Sequence, residues 1–224
     1  MTTFITIRLT CPVCATVFTS QAIGSSSHSG QDSDFRPHSL GLDPLPHYVH
    51  VCPHCCFAAF EGDFGSAEPS VRRAVLSGAI DADRIIGAEP RGALKGSSRY
   101  LLAARCYEND SRTTTLRQAD LYLRASWCAR QEGRSERERE AQTEAVLYFE
   151  KALEEGEVED GQLQVILYLI GELYRRLGFF EMAIEYLNRS SAVQTKDSDP
   201  RMEALIGRQR EAALQGRTEN MTIS

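Results

Sequence analysis

The sequence predicts an α+β protein: a small, metal-held β head followed by an all-α helical domain. The head is predicted by two matching segments, Cys11-Pro-Val-Cys14 and Cys52-Pro-His-Cys55. The change of fold class is predicted by composition, because five of the eight prolines and all five histidines precede residue 55, and good helix formers dominate later. We therefore expect four segments: a metal-binding head at 1–65, short connecting helices and a loop at 66–97, a helical domain with a C-terminal capping helix at 98–215, and a disordered tail at 216–224.

The two Cys-x-x-Cys knuckles predict one structural metal site. Each knuckle presents two sulfurs to one point, and four thiolates complete the tetrahedral shell that zinc prefers. The predicted ligands are Cys11, Cys14, Cys52 and Cys55. Such a closed shell leaves no position for a reactive water, which argues against hydrolytic chemistry. Iron uses the same four ligands, so zinc versus iron stays open here.

The segments beside the knuckles predict a zinc-ribbon-like layout of strands. Ile5, Ile7 and Leu9 alternate with polar residues, as in a strand with one buried face, and lead into the first knuckle. A second strand at 47–51 leads into the other knuckle. The intervening residues 20–46 are rich in Ser, Gly, His and Pro, and we interpret them as a long irregular loop.

From Ser98 onward the sequence predicts helices, with turns near glycines such as Gly133 and Gly178. The clearest pair of helices runs from Gln162 to Ser191. Its pattern resembles the tetratricopeptide repeat (TPR) at Leu167, Ile170, Gly171, Tyr174, Ala183 and Leu187. Gly171 is expected where two helices approach too closely for a side chain.

The TPR resemblance implies a partner-binding face on the first helix of the pair. That face would present Tyr168, Glu172, Arg175 and Arg176. The two arginines could hold a carboxylate of a partner peptide. Alternatively, Glu172 and Arg176 pair with each other at i and i+4.

Charge and hydropathy exclude several classes of protein. The net charge of −6 argues against nucleic-acid binding, which needs a basic surface. There is no apolar run of about 18 residues, so no membrane span is predicted. Seven cysteines, an odd number without an export signal, favour metal ligation in a reducing cytoplasm over disulfides.

A wider profile resembles a bacterial family of unknown function, described by a zinc-ribbon-like head and a helical tail. The residues that carry this resemblance are the two Cys-Pro-x-Cys knuckles, Asp34-Phe35, Asp43-Pro44, Tyr48, Ala59-Phe60 and Asp63-Phe64, before the TPR-like tail. The glycine usual after each knuckle is replaced here by Ala15 and Cys56. The resemblance implies an architecture and a bacterial cytosolic setting, and no reaction.

No nucleophile–base pair, phosphate-binding loop or paired-carboxylate motif stands out, so we expect a protein without enzymatic activity. The leading hypothesis is a metal-stabilised scaffold or adaptor whose helical tail binds another protein. A second hypothesis is a thiol- or metal-based redox sensor, because Cys56 could form a disulfide after metal release. A third is a thiol oxidoreductase, because Cys-Pro-His-Cys resembles the motif of DsbA-type enzymes.

Overall fold

The computed structural model describes residues 1–193 and 200–223. Its strands are β1 Thr3–Thr10, β2 Val17–Ser25, β3 His28–Asp32, β4 Pro37–Ser39, β5 Val49–Val51, β6 Ala58–Phe60 and β7 Thr222–Ile223. Its helices are α1 Pro69–Leu76, α2 Ala82–Ile86, α3 Gly96–Tyr107, α4 Thr115–Gln131, α5 Ser135–Glu154, α6 Asp160–Leu177, α7 Phe180–Ala192 and α8 Pro200–Leu214. The predicted α+β class, with strands first and helices after them, is confirmed.

The chain folds into two compact units. The first unit comprises residues 1–29, 38–113 and 120–141, and the second comprises 30–37, 114–119 and 142–224. These bounds differ from the predicted segments, because residues 30–37 belong with the later helices and α3 belongs with the strands.

Two antiparallel hairpins carry the β part of the first unit. Strands β1 and β2 pair from Thr10 opposite Val17 to Thr3 opposite Ser25. Strands β5 and β6 pair with Val49 opposite Phe60 and Val51 opposite Ala58. A third sheet has the order β4-β3-β7. The region 20–46, expected to be an irregular loop, therefore contains most of β2 and all of β3 and β4.

Helix α3 packs on the second hairpin. The Tyr100 hydroxyl donates to the Leu45 carbonyl at 2.9 Å, and the Phe60 amide donates to the Tyr107 hydroxyl at 3.3 Å. Tyr107 also donates to the carboxylate of Asp63. Composition alone marks α3 as helical, but these side chains place it in the first unit.

The predicted pair of helices is present in the second unit as α6 and α7, which pack closely along their length. A Cβ added at Gly171 would lie 2.8 Å from Leu187 Cγ, so the predicted close approach is confirmed. Helix α6 ends at Gly178, whose φ of 88° is the left-handed conformation that glycine adopts at low cost. Helix α8 packs against both α6 and α7.

The structure describes the chain up to Ile223 and places a strand, β7, within the segment 216–224 for which the sequence predicts disorder; Ser224 lies outside the described residues. Strand β7 pairs antiparallel with β3, with Gln31 opposite Ile223 and Asp32 opposite Thr222. The Ser33 amide donates to the Met221 carbonyl at 2.7 Å. The polar composition of the tail predicts disorder, whereas backbone pairing with a distant strand holds it in place.

Within the described part of the chain, no helix combines the length and the apolar character that a membrane span requires.

Candidate metal centre

The first knuckle is a tight turn between β1 and β2. The Cys11 amide donates to the Thr16 carbonyl and the Ala15 amide donates to the Cys11 carbonyl, both at 2.9 Å. To close this turn, Ala15 adopts a φ of 61°, a left-handed conformation that is costly for residues other than glycine. The left-handed conformation of the backbone at Ala15 is therefore the physical reason for expecting a glycine at this position.

The second knuckle repeats this geometry between β5 and β6. The Cys52 amide donates to the Phe57 carbonyl at 2.9 Å, and the Cys56 amide donates to the Cys52 carbonyl at 3.0 Å. Cys56 has the same φ of 61°. Each hairpin thus presents two thiols from a turn of the same form.

The two knuckles bring the four predicted ligands together. The sulfur atoms of Cys11, Cys14, Cys52 and Cys55 all lie within 4.8 Å of one another. The Sγ–Sγ distances are 3.6 Å between Cys11 and Cys55 and 3.5 Å between Cys14 and Cys52. Four sulfurs at about 2.3 Å from a tetrahedral zinc ion would be about 3.8 Å apart. The observed spacing therefore suits a metal ion held by four thiolates, and all four cysteines are free of disulfides.

Burial and mutual contact shift the pKa values of the thiols in different directions. A hydrogen bond with Cys55 lowers the pKa of Cys11 to about 5. Burial raises the pKa of Cys52 to about 11. Without a cation, four adjacent thiolates would repel one another in a partly desolvated site. A bound divalent ion would supply the charge that lets all four ionise.

Two arginines support the turns from outside the cluster. Arg72 of α1 donates to the Pro12 carbonyl at 3.0 Å, and Arg91 donates to the His54 carbonyl, also at 3.0 Å. Each arginine holds the carbonyl of a residue that lies between two predicted ligands. Sequence reasoning missed these contacts, because no local pattern links Arg72 or Arg91 to a knuckle residue that lies 60 or 37 residues earlier in the chain.

The remaining cysteines lie outside the four-sulfur cluster. Cys56, Cys106 and Cys128 are buried, and the Ala58 amide donates to the sulfur of Cys106 at 3.5 Å. Burial raises the pKa of both Cys56 and Cys106. These thiols are therefore in the protonated, poorly reactive form at neutral pH.

The four residues expected on a partner-binding face lie in the interior of the second unit. Tyr168, Glu172 and Arg175 have no exposed surface, and Arg176 is 9% exposed. Segments of the chain itself cover them. The Tyr168 hydroxyl donates to the Ser33 carbonyl at 2.6 Å.

The two arginines of this set hold the chain's own polar groups. Arg175 donates to the carbonyls of Arg217 at 2.6 Å and Glu219 at 3.0 Å. Arg176 pairs with Asp34 at 2.9 Å. Glu172 forms an ion pair with Arg175 at 2.7 Å, at i and i+3, where the sequence suggests a pair with Arg176 at i and i+4. The sequence offered no signal that residues 33–34 and 217–220 would reach these side chains.

Comparison with known proteins finds sequences that are similar to this chain. An uncharacterized protein of Borreliella burgdorferi is 28% identical over 141 residues, which cover 54% of this chain and 50% of that protein. The match thus spans about half the length of this relative. No solved structure matches the chain. The family model described as "Uncharacterized protein conserved in bacteria (DUF2225)" matches residues 4–213. Since this match covers nearly the entire chain, the protein belongs to that family.

Proposed function

We propose that the protein binds one structural zinc ion through Cys11, Cys14, Cys52 and Cys55, and that this ion holds the first unit folded. The observation that carries the proposal is the approach of all four sulfurs to within 4.8 Å. Two turns of the same backbone form present them, which is how zinc ribbons build a closed site. We prefer zinc to iron because a closed thiolate shell without redox chemistry is sufficient for a structural role.

The first of the two hairpins that carry the predicted ligands has little apolar core of its own. Ile5 and Val17 are 52% and 49% exposed, and the two hairpins belong to separate sheets. A two-stranded hairpin is marginal in water. A structural zinc ion contributes about 10–16 kcal/mol in small modules, which is ample to hold both hairpins together.

Substitution of single cysteines tests this role. We expect Cys11→Ser to lose stoichiometric zinc and to unfold the first unit, seen as collapsed amide dispersion in NMR spectra. Cys56→Gly is the matched control, since it changes a neighbouring thiol that is not a ligand and suits the φ of 61° at that position. Full zinc retention in Cys11→Ser, or equal zinc loss in both variants, would refute the four-cysteine site.

We further propose that the protein is a non-enzymatic adaptor in a reducing cytoplasm, and that the second unit binds an extended peptide. The groups that make the face of α6 suitable are Arg175 and Arg176, which already hold backbone carbonyls and the Asp34 carboxylate. A partner would reach them only after displacing residues 216–223. In this proposal, the chain's own residues 216–223 occupy the position that the partner peptide would take.

A peptide-exchange experiment tests the adaptor proposal. The chain is ended after Gln215, and a fluorescent synthetic peptide of residues 216–224 is added. We expect saturable binding to the shortened chain, much weaker binding to the full chain, and none to a shortened chain carrying Arg175→Met. Absence of binding to a shortened chain that remains folded would reject this face as a peptide site.

The sensor hypothesis rests on Cys56 beside Cys55, and the oxidoreductase hypothesis on Cys52. Burial disfavours both, because Cys56 is 2% exposed and the pKa of Cys52 is raised, whereas reactive thiols are accessible and acidic. Moreover, β6 follows Cys55 where a DsbA-like site needs a helix. Mild peroxide that released zinc and joined Cys55 to Cys56 would restore the sensor hypothesis. Reduction of insulin disulfides that depends on Cys52 would restore the oxidoreductase hypothesis.

A further inference from the structure

The first unit contains a polar cavity of about 200 Å³ that the metal centre does not use. Its polar wall is formed by Thr6, Thr19, Ser20, Gln21, Arg91 and Arg99, and none of its lining residues is acidic. Two arginines without a carboxylate in the same wall are notable in a chain with a net charge of −6. Because Arg91 is paired with Asp83, the cation of the cavity that no ion pair within the described residues neutralises is Arg99.

Arg99 is the central cation of this cavity. Its Nε donates to the Leu94 carbonyl at 2.9 Å, and one Nη donates weakly to the carbonyls of Pro46 and Val49, at 3.4 Å each. Across the described residues, no carboxylate forms an ion pair with Arg99. The nearby Glu89 is engaged by Arg134 at 2.5 Å.

A half-buried guanidinium without a counter-ion is energetically unfavourable. Burial accordingly lowers the pKa of Arg99 from its usual value. An anion that enters the cavity would offset the desolvation cost of the Arg99 charge. It would also accept hydrogen bonds from the guanidinium. Arginine presents its donors as a planar fork, which suits the paired oxygens of a carboxylate or phosphate.

Other polar groups of the cavity are held in position. The hydroxyl of Ser20 is 2.8 Å from His50 Nδ1. At the rim, Arg91 is fixed by Asp83 at 2.6 Å and by the carbonyl of His54. Positioned donors of this kind lower the ordering cost of binding a small ligand.

We propose that this cavity binds a small oxyanion, a phosphate or carboxylate group, with Arg99 as the principal ligand and Ser20 and Arg91 as supporting donors. A volume of about 200 Å³ corresponds to roughly seven water molecules at about 30 Å³ each. The ligand class is therefore a small anion such as inorganic phosphate or a short dicarboxylate. None of the four predicted metal ligands lines the cavity, and the peptide-binding proposal concerns the second unit.

Calorimetric titration of the full-length, metal-loaded protein tests the proposal. Inorganic phosphate and succinate are the two probes, and sodium chloride at matched ionic strength is the control. We expect one equivalent of phosphate or succinate to bind saturably, and the probe that binds identifies the anion. Arg99→Gln should weaken this binding about tenfold or more, Arg99→Lys less. Arg84→Gln, an exposed arginine of α2 outside the cavity, should leave it unchanged.

Two results would overturn the proposal: no saturable binding of either probe, or equal weakening in Arg99→Gln and Arg84→Gln. If Arg99→Gln fails to fold, NMR titration of the wild-type protein decides instead. Saturable shifts at the amides of 19–21 and at Arg99 support the site, and shifts confined to other residues reject it.

Discussion

Arg175 and Glu172 form an ion pair in which neither side chain has any exposed surface. Arg175 donates to the Glu172 carboxylate from Nε at 2.8 Å and from Nη2 at 2.7 Å. The Ser33 hydroxyl donates to the same carboxylate at 2.6 Å. Because both charges are desolvated, each depends on the other and on the chain segments around them.

Removal of the Arg175 charge should therefore be costly. We expect Arg175→Met to lower the free energy of unfolding by about 3–5 kcal/mol, because it leaves the Glu172 carboxylate buried without a counter-ion. Chemical denaturation measures this loss. Lys151→Met is the control, since it removes an exposed i,i+4 pair with Glu155 and should cost less than about 1 kcal/mol. Equal losses in the two variants would contradict the account of this pair.

The C-terminal segment should contribute measurable order to the second unit. If the chain ends after Gln215, the Ser33 amide loses its acceptor, the Met221 carbonyl, and Arg175 loses two carbonyl acceptors. We expect hydrogen exchange over residues 31–33 to accelerate, while exchange in α7 changes little. Removal of Ser224 alone is the control. Unchanged exchange over 31–33 would show that β7 does not pair with β3 in solution.

The contact between α6 and α7 should not tolerate a methyl group at Gly171. Its Cβ would meet Leu187 Cγ at 2.8 Å and the Ala183 carbonyl at 3.2 Å. We expect Gly171→Ala to destabilise by about 1–3 kcal/mol through overpacking. Gly207→Ala is matched in chemistry but meets nothing within 4 Å, and it should stabilise α8 by up to about 1 kcal/mol. Thermal unfolding of both variants tests whether Gly171→Ala lowers the stability while Gly207→Ala raises it.

Much of the fold was predictable because local signals agreed with the tertiary structure. The two pairs of candidate ligands follow from spacing alone, since Cys-x-x-Cys turns bring pairs of sulfurs together wherever they occur. The helix ends near Gly133 and Gly178 were predictable because glycine is the residue that most easily adopts the positive φ at which helices end. Both glycines have positive φ in the structure. Gly171 was predictable because helical spacing places it on the face shared with α7.

Other features depend on contacts between distant segments. Nothing local in residues 30–37 or 216–223 shows that β3 and β7 pair, so the sequence predicts a loop for the first segment and a disordered tail for the second. The positions of these two segments also explain why the four α6 residues expected at a partner surface are buried. Helical spacing correctly places them on one face, but it carries no information about which segment covers that face.

The first knuckle should gain stability from a glycine at Ala15. Its φ of 61° is strained for alanine and accessible to glycine. We expect Ala15→Gly to raise the stability of the metal-loaded protein by a few tenths to about 1 kcal/mol, without changing zinc content. Ala22→Gly, a buried position on β2 with ordinary backbone geometry, should instead destabilise, because glycine weakens strands. Destabilisation by Ala15→Gly of the same size would contradict the strain described here.

The most direct test of the metal-centre proposal is the metal content of protein purified without added metal, measured together with its free thiols. The four-cysteine site predicts one zinc ion per chain. It also predicts four thiols that react only after chelation or unfolding, with Cys56, Cys106 and Cys128 reacting as the protein unfolds. A folded, metal-free protein, or one with a disulfide between Cys52 and Cys55, would contradict a structural zinc site.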